Sequence, residues 1–141
     1  MESNKFDFII IGAGSAGCVI ANRLTASGKF RVLLLEAGPS DSSPWIHMPI
    51  GYGRNFSNPK VNWLYSSEPG IDWVKRPIKQ PRGKVLGGSS SINGLVYMRG
   101  QKEDYDHWRQ LGNDGWGYEQ VLDYFKKSEH QERGEDPFHG I

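Results

Sequence analysis

Three glycines near the start of the chain have the spacing of a phosphate-binding turn. The segment 12–17 reads Gly-Ala-Gly-Ser-Ala-Gly, so glycines stand at Gly12, Gly14 and Gly17. In this pattern the first glycine permits a tight turn, the second lets the backbone approach a pyrophosphate, and the third lets a helix pack closely on a strand. Free N–H groups at the start of the following helix, and the helix dipole, favour the negative charge of the phosphates. Because glycine-rich turns are common, the pattern predicts a dinucleotide site only in the right structural context.

The flanking sequence supplies that context. Residues 6–11 are nearly continuously apolar, which predicts a strand buried on both faces of a parallel sheet. From Ser15 to Ser27 apolar residues recur every four positions, as on one face of a helix. Residues 31–36, with the apolar run 32–35 at their centre, read as a second buried strand. The sequence therefore predicts a βαβ unit with a right-handed crossover.

Glu36 closes the second predicted strand, 19 residues after Gly17. A carboxylate at this place can accept hydrogen bonds from both ribose hydroxyls of an adenosine, and it would repel a 2′-phosphate. The alternative interpretation is an ordinary βαβ turn with a solvated Glu36. The motif does not distinguish NAD from FAD.

A second segment rich in glycine and serine lies further along the chain. It covers 82–94, and its centre is Gly87, Gly88 and the three serines 89–91. Such a turn can present N–H and hydroxyl donors to a phosphate or to a flavin ring edge. A capped helix start without a ligand explains the same residues equally well, and a helix is expected over Ser89–Tyr97. Arg82 and Lys84 can assist a phosphate or be solvent-exposed.

Proline interrupts the region between these two motifs. Seven prolines lie between Ala37 and Gly83, so we expect a long irregular segment with one short extended stretch near 63–66. Its many aromatic side chains argue against disorder and are more typical of packing or of a cover over a cofactor. Helices are predicted over Lys102–Leu111 and Tyr118–Glu129, the second from an apolar stripe at helical spacing.

Composition excludes some classes of protein. The 17 basic and 16 acidic side chains give a net charge of +1 without a basic run, so a nucleic-acid surface is not expected. The single cysteine, Cys18, cannot form an internal disulfide. The first residues lack the pattern of a signal peptide, and no apolar run is long enough to span a membrane. We expect a cytoplasmic protein, or one peripheral to the membrane, without a metal site.

The motifs together resemble a known family. The segment Gly83–Asn93, followed by Tyr97, Gly100 and Asp106, resembles the first signature of the glucose-methanol-choline (GMC) oxidoreductases. The opening, residues 12–17 with Glu36-Ala37-Gly38, is similar as well, and so are Asp104-Tyr105-Asp106, Trp108 and Gly115-Trp116. The resemblance covers essentially the whole chain in the right order. The most similar members are of the bacterial choline-dehydrogenase-like branch.

The resemblance implies an α/β fold with a Rossmann-like FAD-binding opening. The expected parts are a βαβ unit (1–38), an irregular segment that covers the cofactor (39–82), and a flavin-contacting turn with helices (83–129). The resemblance also implies that the chain is an incomplete amino-terminal fragment of a two-domain flavoprotein whose substrate and catalytic part is missing.

It further implies FAD as the cofactor and assigns residues to it. The pyrophosphate would be held by Gly12, Gly14, Ser15, Ala16 and Gly17, and the adenosine ribose by Glu36 with the adjacent Ala37. The flavin would be lined by Val85, Gly87, Ser89, Asn93, Gly94 and Val96. Some members of the family bind the flavin covalently through a histidine just before this asparagine. Here Ile92 stands at that position, which implies non-covalent FAD.

The reaction that the resemblance implies is oxidation of an alcohol, by hydride transfer to flavin N5. The family's catalytic histidine and its partner lie near the carboxyl terminus of the full protein, so no catalytic residue is expected here, and the four histidines are interpreted as surface or packing groups. The electron acceptor, oxygen or a quinone, and the oligomeric state stay open. Alternatives are a cyanohydrin lyase of the same family and a non-catalytic nucleotide-binding module; an NAD-dependent dehydrogenase would leave the Gly87-Gly88-Ser89 segment without a role.

Overall fold

A computed structural model describes residues 5–68 and 76–141, which form two compact units, one up to Val96 and one from Tyr97 to Ile141. Among the described residues, the first unit contains four short strands and three α-helices, and the second contains two α-helices. The strands are β1 (Phe8–Ile11), β2 (Val32–Leu35), β3 (Tyr65–Ser66) and β4 (Lys79–Gln80). The helices are α1 (Ser15–Thr25), α2 (Pro44–His47), α3 (Tyr52–Asn55), α4 (Lys102–Gln110) and α5 (Tyr118–Lys127).

The predicted strand–helix–strand opening is present. Strands β1 and β2 pair in parallel, from Phe8 opposite Val32 to Ile11 opposite Leu35, and α1 connects them. β1 ends where the Gly12 N–H donates to the Leu35 carbonyl at 2.7 Å. Gly12 has a φ of 96°, a left-handed conformation that glycine adopts without steric cost, so the chain can turn directly into α1.

The prediction that both strands are buried on both faces was wrong for the described residues. Ile9 is 62% exposed and Ile11 is 88% exposed. The reason is that β1 and β2 form a sheet of only two strands in the described part of the chain, and such a sheet has too few neighbours to cover its apolar side chains.

The predicted irregular segment contains more regular structure than expected. Helices α2 and α3 flank a 3₁₀ turn at Pro49–Gly51, and β3 pairs antiparallel with β4. The extended stretch expected near 63–66 is confirmed as β3. The helices were missed because each has only four residues, which is too short to show a helical period. Residues 69–75 of this segment lie outside the described residues.

A small core holds the first unit together. Val61, Val85 and Ile92 are buried against one another, with Ile46 packed at their side. Beside them lies the buried amide of Asn62, which bonds several backbone groups of the irregular segment. The core therefore joins that segment to the second glycine-rich segment.

The expected helix over Ser89–Tyr97 is not formed. A single 3₁₀ turn covers Gly88–Ser91, and the chain then turns away. The Asn93 side-chain oxygen accepts the Leu95 N–H at 2.8 Å, and Leu95 adopts a φ of 61°. This local bond between a side chain and the backbone competes with helix formation, which is why the apolar pattern alone was misleading.

In the second unit, helices α4 and α5 match their predicted positions to within two residues. A capping box of Gln101 and Asp104 begins α4. Tyr105 of α4 packs edge-on against Phe125 of α5 with ring centroids 5.8 Å apart. No helix in the described part of the chain is long and apolar enough to cross a membrane.

Candidate functional site

The two glycine-rich segments lie side by side in the first unit. The Gly87 N–H donates to the Ala13 carbonyl at 2.8 Å. A Cβ atom built on Gly88 would lie 2.7 Å from the Cα atom of Gly14, closer than a real contact allows. The hydroxyls of Ser15 and Ser90 are hydrogen-bonded to each other. The segments therefore touch backbone to backbone, which only glycine permits at this distance.

An open cavity of about 710 Å³ lies at this junction. The volume falls within the roughly 300–1,000 Å³ that is usual for small-molecule and cofactor sites. Eight predicted cofactor residues line it: Gly12, Gly14, Ser15, Ala16, Gly17, Glu36, Ala37 and Ser89. The remaining lining residues are Ile11, Leu35, Trp63, Arg82, Gly83 and Gly88. The fold thus brings both predicted motifs to one cavity.

The start of α1 offers backbone donors to this cavity. Its first residue is Ser15, and among the described residues no side chain caps its N-terminus and no acidic side chain lies in its first turn. Gly17 cannot carry a side chain here, because a Cβ atom would lie 1.9 Å from the Gly12 carbonyl oxygen. The close contact draws the helix start onto the end of β1, where its N–H groups and positive dipole end can attract an anion.

The Glu36 carboxylate holds the glycine turn through two hydrogen bonds to the backbone. One carboxylate oxygen accepts the Ala13 N–H at 2.8 Å and the other accepts the Gly38 N–H at 2.9 Å. Because a carboxylate oxygen has two lone pairs, each can accept a further bond from a ligand hydroxyl. Glu36 is half-buried with both oxygens bonded to the backbone, and its role toward a ribose stays a prediction.

Ser89 fixes the second segment. Its hydroxyl oxygen accepts the Gly83 N–H at 3.1 Å, so its own proton is still available to donate into the cavity. Gly83 is held tightly, because a Cβ atom there would lie 2.2 Å from the carbonyl group of Gly88. The turn is therefore a rigid wall of the cavity.

The structure does not bring the other predicted flavin residues to the cavity. Val85 is completely buried in the core beside Ile92. Gly87 donates its N–H to the neighbouring turn rather than facing the opening. The others, Asn93, Gly94 and Val96, lie in the exposed stretch after the 3₁₀ turn and do not line the cavity. Their assignment to the flavin stays a prediction.

Trp63 is an aromatic lining residue that the sequence did not single out as part of the site. Its ring stacks on Tyr65 with centroids 5.9 Å apart, and the Lys84 ammonium lies 4.8 Å from its ring centre. The aromatic composition of the irregular segment indicated a cover, but no local pattern distinguishes Trp63 from the neighbouring aromatics. Its place depends on the pairing of distant parts of the chain.

None of the four histidines lines the cavity. His47 bonds the Asp41 carbonyl, and His139 bonds the Glu129 carboxylate. Across residues 5–68 and 76–141, no group of three or more His, Cys, Asp or Glu side chains is arranged to hold a metal ion.

The fold and the cavity define an α/β protein whose first unit places two glycine-rich turns around a ligand-sized cavity at a helix start. The sequence profile of the GMC oxidoreductases matches residues 6–136. The chain belongs to the GMC oxidoreductase family.

Similar proteins are oxidoreductases much longer than this chain. An alcohol dehydrogenase [acceptor] of Pseudomonas putida is 50% identical over 136 residues, which are 96% of this chain and 25% of the relative. An oxygen-dependent choline dehydrogenase of Rhizobium etli is 52% identical over 134 residues, covering 95% of this chain and 24% of the relative. The chain spans about a quarter of the length of these curated relatives.

The solved structures that superpose on this chain are also of longer oxidoreductases. A pyridoxine 4-oxidase from Mesorbium loti superposes with a TM-score of 0.87 at 34% identity, covering 96% of this chain and 27% of the oxidase. A formate oxidase superposes with a TM-score of 0.80 at 34% identity, covering 94% of this chain and 24% of that enzyme.

Proposed function

We propose that this chain is the FAD-binding part of an oxidoreductase that acts on the CH–OH group of an alcohol. The observation that carries the proposal is the cavity between two glycine-rich turns, in a chain of the GMC oxidoreductase family. The βαβ element at its edge would serve as a Rossmann-like dinucleotide site.

The residues around the cavity fit the diphosphate and ribose of FAD. The N–H groups at the start of α1 would bind the diphosphate, and the close contact of Gly88 with Gly14 would hold the second glycine-rich segment beside them. Glu36 would accept the ribose hydroxyls with the lone pairs that its bonds to Ala13 and Gly38 leave free. The Ser89 hydroxyl, which lines the same cavity, would donate a further hydrogen bond.

The cofactor would be held without a covalent bond. Ile92, at the position where some members of the family carry the linking histidine, is only 2% exposed and packs in the core with Val61 and Val85. A buried hydrocarbon side chain has no nucleophile with which to attach a flavin. Retention then depends on hydrogen bonds and on the shape of the cavity.

FAD supplies the chemistry of the reaction, because its flavin accepts a hydride from the alcohol carbon. This chain's residues would bind and orient the cofactor, and the groups that manage the hydroxyl proton would come from other parts of the protein. The similarity to alcohol and choline dehydrogenases favours an alcohol as substrate. Oxygen or a quinone would be the electron acceptor.

An absorbance spectrum of the purified chain, before and after acid denaturation, tests the proposal. We expect flavin bands that move to the supernatant when acid precipitates the protein, and chromatography of that supernatant should identify FAD. Flavin that stays with the precipitate would contradict non-covalent binding. A colourless protein that takes up no added FAD would contradict the binding proposal for this chain.

A further inference from the structure

Among the described residues that line the cavity, Arg82 is the cation and Glu36 is the anion. Within the residues that the structure describes, the Arg82 guanidinium makes no ion pair and no hydrogen bond. The neighbouring cation, Lys84, is instead placed over the ring of Trp63 at 4.8 Å and does not line the cavity. Arg82 is therefore the charged donor available to a ligand in this cavity.

The backbone of Arg82 is fixed on both sides. Its N–H donates to the side-chain oxygen of buried Asn62 at 3.1 Å, and its carbonyl accepts the Trp63 N–H at 2.9 Å. The next residue, Gly83, is bonded to Ser89 and pressed against Gly88. The buried Asn62 amide thus holds the backbone of Arg82, while the Arg82 side chain is exposed at the cavity.

A cation in the cavity would stabilise a bound diphosphate. Each phosphate of a diphosphate is negatively charged, and the Glu36 carboxylate adds a further negative charge at the same cavity. The start of α1 offsets only about half an elementary charge. A guanidinium supplies a full charge and can form two parallel hydrogen bonds to phosphate oxygens.

We infer that Arg82 is a cofactor-binding residue that pairs with the diphosphate of FAD in the cavity that it lines together with the α1 helix start, positioned by Asn62. The inference rests on the proposed function. It assigns to Arg82 the part of the affinity that depends on phosphate charge, separately from the backbone donors of the glycine turn.

The test compares ligand binding by the full chain and by R82Q, R82K and the control K84Q. Dissociation constants are measured by flavin fluorescence for FAD, and by calorimetry for ADP, which has the diphosphate, and for adenosine, which lacks it. We expect R82Q to raise the dissociation constants for FAD and ADP by about tenfold or more, in keeping with the loss of a charged hydrogen bond. Adenosine binding should not change, R82K should be intermediate, and K84Q should bind as the unmodified chain does.

The outcomes separate this inference from the proposed function. Uptake of FAD by the unmodified chain with equal affinity in R82Q overturns the role of Arg82 alone. A loss of adenosine affinity in R82Q as large as the loss of ADP affinity also overturns it, because the substitution would then act on the shape of the site. An unmodified chain that binds neither FAD nor ADP contradicts the proposed function and the inference with it. If R82Q lowers the unfolding midpoint, the comparison is made with R82K, which keeps the charge and should still bind FAD and ADP more weakly than the unmodified chain.

Discussion

At the scale of single residues, the candidate site depends on glycines that pack directly on backbone atoms of other segments. Gly17 packs on the Gly12 carbonyl, Gly88 on Gly14, and Gly38 on the Lys84 carbonyl, each at a distance that excludes a Cβ atom. These contacts bring three separate stretches of backbone together and leave N–H groups at the cavity. Glycine is therefore required here for close approach, which is a tertiary requirement as well as a local one.

Replacement of Gly17 by alanine tests this close approach. The new Cβ would lie 1.9 Å from the Gly12 oxygen, so helix and strand must separate, and we expect a loss of about 1–3 kcal/mol in the free energy of unfolding. FAD affinity should fall as well, because the helix start moves. Urea unfolding and a fluorescence titration measure the two effects. Gly53→Ala in α3 is the matched control, since nothing lies within 4 Å of its Cβ position and alanine favours a helix.

At the scale of elements, buried side-chain amides hold the irregular segment in place. The Asn62 oxygen accepts the N–H groups of Leu64 at 2.9 Å and Arg82 at 3.1 Å, and its nitrogen donates to the Phe56 carbonyl at 3.1 Å. Leu64 has a φ of 56°, a conformation that leucine rarely adopts, and the Asn62 bond holds it there. One side chain thus fixes the strand that follows and the wall of the cavity.

Asn62→Leu should destabilise the protein strongly. The change keeps the approximate side-chain size but removes the partner of the Phe56, Leu64 and Arg82 backbone groups, whose bonds to Asn62 are partly buried, so we expect a loss of about 2–3 kcal/mol. Asn58→Ala is the control, because its side chain makes one exposed bond, to the Lys60 N–H, and should cost less than about 1 kcal/mol. Urea unfolding compares the two; equal losses would refute the role of Asn62.

In the second unit, a charged cluster connects the residues after α5 to the start of α4. Glu129 bonds His139 at 2.9 Å and Arg99 at 2.7 Å, and Arg99 also donates to the Phe138 carbonyl. The hydrogen bond from His139 lowers the pKa of Glu129, and the N–H groups of Phe138 and His139 lower the pKa of Asp136. Both carboxylates therefore favour the folded state when they are ionised.

The sign of these pKa shifts predicts an acid-sensitive cluster. A carboxylate whose pKa is depressed by folding stabilises the folded state above its unfolded pKa, here about 4.5 for Glu129, and this stabilisation is lost as pH falls through the folded value. E129Q should increase amide hydrogen exchange in residues 129–140 at about pH 7, and the difference from the unmodified chain should shrink at about pH 3. Comparison at equal pH removes the intrinsic pH dependence of exchange. E132Q, in the same stretch, is the control.

At the scale of the whole molecule, binding should be visible as stability. A ligand that binds only the folded state at 100 times its dissociation constant adds about 2.7 kcal/mol to the free energy of unfolding. We expect FAD to raise the unfolding midpoint of this chain, and riboflavin, which lacks the diphosphate and adenosine, to raise it much less. Hydrogen exchange should slow in 12–17 and 83–91 and stay unchanged in α5. Equal effects of both ligands would argue against the glycine-lined cavity as the site.

The sequence by itself determined the local elements and the chemistry of the first motif. The positions of β1 and β2 follow from apolar runs and those of α1 and α5 from apolar residues at helical spacing, and the glycine spacing with Glu36 predicts a dinucleotide turn, because these signals lie within single stretches of chain. Only the tertiary structure decided which residues meet. It brought Trp63, Arg82 and Ser89 to the cavity and buried Val85 in the core, because these outcomes depend on backbone bonds between distant segments that no sequence period records. The expected helix over Ser89–Tyr97 is lost for a local reason, the bond from the Leu95 N–H to the Asn93 side chain, which the apolar pattern does not record.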